Sequence, residues 1–145
     1  MRGNVFERMY AAVTSLVPAV EQPVEGASFY APPKVAGDCA SYCTVSNVDE
    51  QGCDIEIAVD SVLDGRIVPA PWMAVRVNLV GRTAELLAIE DGAGYEQICT
   101  KERTPSARRT QLNAAAVNNL ASMLMLGGEF QALERSVAAC AELQG

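Results

Sequence analysis

Cys53-Asp-Ile-Glu-Ile-Ala-Val-Asp60 is the stretch that decides the fold. Cys53, Ile55, Ile57 and Val59 alternate with Asp54, Glu56, Ala58 and Asp60. A strand turns successive side chains to opposite faces, so a period of two sends one set inward and the other toward water. Met73, Val75, Val77 and Leu79 repeat the pattern against Ala74, Arg76 and Asn78. Alternation of this kind marks an antiparallel sheet with one packed face and one wet face.

Outward from these segments, more strands are expected. Residues 40–48 are β-prone and polar at alternate positions, and Asp49-Glu-Gln-Gly52 reads as the turn of a hairpin. Residues 61–71 read as a loop or second turn around Asp64-Gly65. Pro69 and Pro71 cannot donate to a ladder, so they mark the entry to a strand at 72–79. Gly81-Arg82 turns the chain into a strand at 83–89, whose Leu86-Leu-Ala-Ile is apolar on both faces, as in a central or helix-covered strand. A short last strand follows at 95–99, which completes a meander of four to five strands.

Helices flank the meander. Phe6, Met9, Tyr10, Val13, Leu16 and Val17 form one apolar stripe at spacings of three and four, with Asn4 as N-cap and Pro18 as the stop. Leu112, Ala116, Leu120, Met123 and Leu124 form a second stripe over 111–126, with Ser106 or Thr110 as its cap, and Gly127-Gly128 ends it. Phe130, Leu133, Val137, Cys140 and Ala141 predict a final helix over 129–143. The expected fold is therefore α+β: an N-terminal helix, an antiparallel meander, and two C-terminal helices on one sheet face. Its 145 residues, half of them hydrophobic, suit a single domain over 1–145.

Composition narrows the function. The formal net charge is −7, which opposes binding to a phosphate backbone and favours a basic partner. No apolar run approaches the roughly 20 residues that span a bilayer, and the charged start does not resemble a signal peptide. A soluble cytoplasmic protein, with its five cysteines reduced, is expected. Absence of histidine from the sequence removes the Ser-His-Asp and Cys-His triads. Cys99, just ahead of Lys101 and Arg103, is the best placed thiol for activation by cations. Cys39, Cys43, Cys53 and Cys99 include only one close pair, whereas a zinc site usually shows two. Gly92-x-Gly94 lacks the remainder of a phosphate loop. No enzymatic activity, metal or cofactor is expected.

Two clusters remain as candidate sites. Asp54, Glu56, Asp60 and Asp64 form an acidic group suited to docking a basic protein surface. Lys101, Arg103, Arg108 and Arg109 form a basic loop able to touch an anion or an acidic partner patch.

Val68-Pro-Ala-Pro-Trp-Met-Ala-Val-Arg-Val-Asn-Leu, then Arg82-Thr-Ala-Glu-Leu-Leu-Ala-Ile and Gln111-Leu-Asn113, resembles a pattern in small bacterial proteins of the YqiB-like kind and their mobile-element relatives. The likeness covers roughly residues 5–126 and departs around Asn78-Leu-Val-Gly, where such proteins tend to carry a His-Asp type turn. It implies a fold and a bacterial, phage or other mobile-element origin, and it assigns no site residue.

The first functional expectation is thus a non-enzymatic interaction module, acting through its acidic face as an accessory or counter-defence inhibitor of a mobile element. A second is a small-ligand sensor or enzyme with a pocket between sheet and helices near Trp72, Tyr95 and Cys99. A third is a self-associating module, a homodimer through residues 86–89 or the last helix.

Overall fold

In a computed structural model, residues 4–32, 40–63, 66–90, 95–98, 106–126 and 130–132 are described, the side chains of 60–63, 66–70, 106, 126 and 132 excepted. Helix α1 (Val5–Leu16) leads into a 3-10 turn, Pro18–Glu21. Strands β1 (Ser28–Ala31), β2 (Ser41–Ser46), β3 (Gly52–Leu63), β4 (Arg66–Asn78), β5 (Thr83–Glu90) and β6 (Tyr95–Gln97) follow. Helix α2 (Ser106–Leu126) and a two-residue strand, β7 (Gln131–Ala132), complete the described chain. The sheet order is β6-β5-β4-β3-β2-β1-β7, and every neighbouring pair is antiparallel.

The α+β class and the antiparallel meander agree with the sequence reading, but the layout differs in three places. Among the described residues the sheet has seven strands rather than four or five. Residues 61–63 and 66–71 are strand rather than loop, since β3 runs to Leu63 and β4 starts at Arg66; Asp64 and Gly65, where the alternative reading places a turn, lie outside the described residues. The register shows why Pro71 is tolerated. Ala58 faces Trp72 and Asp60 faces Pro69, so Ala70 and Pro71 together oppose Val59 in a β-bulge. A bulge leaves a residue outside the ladder, so the missing N–H of proline costs little there. Thirdly, among the described residues only one helix follows the meander. It starts at Ser106 rather than 111, and Gln131–Ala132 is extended where a second helix was expected. The rest of that expected helix, 133–143, lies outside the described residues.

Local chemistry accounts for the elements that position the sheet. Glu7 N–H donates to Asn4 Oδ1 and Asn4 N–H donates to Glu7 Oε1, both at 2.9 Å, a capping box that satisfies two donors the helix would orphan. Tyr10 Oη donates to Glu21 at 3.1 Å and ties α1 to the turn after it. Burial and the nearby Glu21 raise the Tyr10 phenol above its ordinary value. Gly52 opens β3 where a Cβ would lie 1.9 Å from the Val77 carbonyl oxygen, so any side chain there collides with the backbone of β4.

The core lies between one sheet face and the two helices. Cys43, Val45, Cys53, Ile55, Ile57, Met73, Val75, Val77 and Leu86 are buried against Met9, Val13, Leu16, Ala116 and Leu120. The apolar half of each alternating strand is therefore the covered half. Of residues 86–89, expected at a dimer interface, Leu86, Ala88 and Ile89 are buried inside the chain and Leu87 is half-buried.

Asn113 is the one wholly buried polar side chain on the described part of α2. Opposite Ala74 and Val75, β5 takes one extra residue, Leu87. Next to that bulge, Leu86 N–H donates to Asn113 Oδ1 at 2.8 Å. Asn113 Nδ2 in turn donates to the Arg109 carbonyl at 2.8 Å. The helix thereby supplies the acceptor that an interrupted ladder needs.

A candidate docking face

The sheet face turned away from the helices carries the polar half of each strand, and one transverse row crosses all seven strands. Pairing sets Gln131 beside Tyr30, Tyr30 beside Tyr42, Tyr42 beside Ala58, Ala58 beside Trp72, Trp72 beside Glu90, and Glu90 beside Tyr95. At the usual strand spacing this row is roughly 29 Å long. Four of its seven positions are aromatic. The rings of Tyr30 and Tyr42 meet at 5.3 Å with a 49° tilt. The rings of Trp72 and Tyr95 stack at 6.1 Å and 27°. Ala58 lies between the two aromatic pairs, and a parallel row of small side chains, Ala74 and Ala88, runs beside Trp72 and Glu90.

Carboxylates in and beside this row are engaged unequally. Glu56 is exposed and accepts a 3.0 Å hydrogen bond from the Trp72 indole, a diagonal cross-strand contact that fixes the ring. Glu90 is exposed and sits between Trp72 and Tyr95 in the register. Among the described residues neither acid has an ion-pair partner.

Asp54 behaves differently. Arg76, directly opposite it on β4, reaches Asp54 at 3.3 Å and Asp49 at 2.5 Å, and also donates to the Asn47 carbonyl at 3.1 Å. Asn47, at φ 50°, donates its side-chain amide to Asp54 at 2.8 Å. Glu25 accepts from the Asn47 and Val48 N–H groups. The cluster pins the β2–β3 turn, and Asp54 is already engaged in it. The hydrogen bond from Arg76 is the largest influence holding the Asp49 carboxyl below its ordinary value, with the N–H groups of Gln51 and Gly52 adding to it.

The expected site residues are thus divided. Asp54 and Glu56 share the open face, as the alternation implied, but only Glu56 is free of an arginine among the described residues. The side chain of Asp60, and the whole of Asp64, lie outside the described residues. Lys101 and Arg103 also lie outside them. Arg108 and Arg109 belong to α2 rather than to a loop. Arg108 pairs with Glu96, whose carboxyl it holds below its ordinary value, and Arg109 pairs with Glu85 while lying over the Phe6 ring at 5.6 Å. Trp72 and Tyr95, expected beside a pocket under the helices, sit instead on the opposite side of the sheet. Cys99 lies outside the described residues.

Nothing in the described geometry assembles a reacting centre. No group of three metal-ligating side chains converges among the described residues, and no described helix is long and apolar enough to cross a membrane. Cys43 and Cys53 are buried on the covered face. Burial pushes the Cys43 thiol up to about 12, with Cys53 as the second cause, and burial pushes Cys53 up to about 11. Both are poor nucleophiles, since the thiolate is the reactive form.

The sequence reading missed the aromatic row. Its signal is parity: Tyr42 and Trp72 fall on the polar positions of their strands, where a large ring is unusual unless it is used. No protein family, curated protein or solved structure matches this chain.

Proposed function

We propose that this protein is a non-enzymatic interaction module that docks a basic partner surface on its open sheet face. The observation that carries this reading is the row of four aromatics across the described strands, with Glu90 within it and Glu56 beside it, on a chain of net charge −7. Aromatic rings supply contact area at low entropic cost, and carboxylates that no described cation pairs supply complementary charge. An accessory or inhibitory role in a mobile element would use such a face without needing catalytic residues.

The test is capture of basic proteins from a bacterial lysate, by the unaltered chain and by a Glu56→Lys/Glu90→Lys double variant. A partner lost on double reversal, at unchanged thermal stability, supports the reading. Equal capture by both chains removes the open face from the interaction.

A further inference from the structure

The described chain places arginine on rings twice. Arg109 lies 5.6 Å from the centre of the Phe6 ring and pairs with Glu85. Arg82 lies 5.3 Å from the centre of the Tyr10 ring, whose hydroxyl is bound by Glu21. In each case a flat cation covers an aromatic face in a carboxylate neighbourhood.

The Trp72 corner of the open face has the same ingredients in a denser form. Trp72 and Tyr95 present two stacked rings, Glu56 is anchored to the indole N–H, and Glu90 stands between the rings in the register. Tyr95 is 58% exposed, so the corner is reachable from solvent. Among the described residues no arginine or lysine lies over either ring.

We propose that this corner is a subsite for an arginine side chain of the docking partner. The proposal rests on the open-face reading above and specifies its chemistry. A guanidinium is planar and weakly hydrated, so it stacks on an indole while its N–H groups reach carboxylates to either side. A lysine ammonium is a compact, strongly hydrated point charge and gains less from a ring that stays wet. Glu56 and Glu90 flank Trp72 along and across the strands, which suits the forked donors of one guanidinium rather than a single ammonium. Arg76 shows that this face accommodates such a fork, because it bridges Asp49 and Asp54 a few residues along the same strand.

The chain contains a single tryptophan, so emission from Trp72 reports directly on the corner. The full chain is titrated with a Gly-Arg repeat peptide and with a Gly-Lys repeat of equal length and charge. A saturable change in Trp72 emission is expected with both, with the Arg peptide about tenfold tighter. Tyr95→Leu and Glu90→Gln each remove most of that preference at unchanged thermal midpoint, while Glu56→Gln, which keeps an acceptor for the indole, weakens the Arg peptide several-fold. Equal affinity for both peptides overturns the arginine subsite and leaves the open face as a diffuse acidic surface. Failure of both peptides to saturate at millimolar concentration overturns the subsite and the docking reading together. Loss of the preference only in variants that also melt earlier assigns the effect to folding and overturns the proposal too.

Discussion

Ile55 and Ile57 are wholly buried on one side of β3, and Asp54 and Glu56 lie one residue away on its other side. The two sides are built on different principles. The covered side is packed by shape, with apolar side chains from five strands closed against α1 and α2. The open side is organised by pairing: ring on ring, indole on carboxylate, guanidinium on two acids. Such contacts between exposed groups add little to stability, because water competes for each of them. A face rich in aromatics that adds little to stability is available for binding.

The sharpest way to break this contrast is a pair of neighbouring substitutions. Ile57→Ala leaves a cavity in the core and should cost about 2–5 kcal/mol of unfolding free energy. Glu56→Ala, one residue earlier on the open side, should stay within about 0.5 kcal/mol. Chemical denaturation of both measures the difference, and equal losses would mean the faces are not distinct. The next effect is at Asn113. Replacing it with Leu leaves the buried Leu86 N–H without an acceptor and should cost about 1–3 kcal/mol, again by denaturation.

Two pH effects are smaller and opposite in sign. Folding raises the Cys43 and Cys53 thiols to about 12 and about 11, so the folded chain holds these protons more tightly. Their contribution is intact below the unfolded value of about 8.5 and is lost as pH rises through the folded values. Thermal midpoints should therefore fall above about pH 9, and less steeply in Cys43→Val. Asp49 and Glu96 are shifted the other way, by Arg76 and Arg108. Their contribution holds above the ordinary carboxylate range and is lost as pH falls through the lowered folded values. Asp49 is exposed and Glu96 half-exposed, so this acid arm is the shallowest effect. Arg76→Gln should remove the Asp49 share and lower the midpoint at neutral pH by roughly 2–5 °C.

Sequence periodicity located the sides of the sheet but not its connections. The alternation at 53–59 and 73–79 is a local property of the chain, set by which residues seek water, and it assigned Asp54 and Glu56 correctly to the open side. The α1 cap was equally local, since Asn4 and Glu7 are three residues apart. Strand at 66–71 is not legible in the sequence because two prolines argue against a ladder, and the bulge that accommodates Pro71 exists only once β3 is paired. The aromatic row was hidden for the same reason. Tyr30, Tyr42, Trp72 and Tyr95 come from four strands, and only the register of five pairings lines them up. Arg76 read as one cation on an alternating strand, yet across the ladder it neutralises Asp54 and changes which acids remain available.

The thin strand β7 carries a timing consequence. It pairs with Phe29 and Tyr30 from about a hundred residues downstream. At ribosomal speed, roughly 5–20 s pass between the emergence of β1 and that of its outer neighbour. Throughout that interval the nascent chain offers an unclosed margin, and the brevity of β1 limits its pairing with another polypeptide.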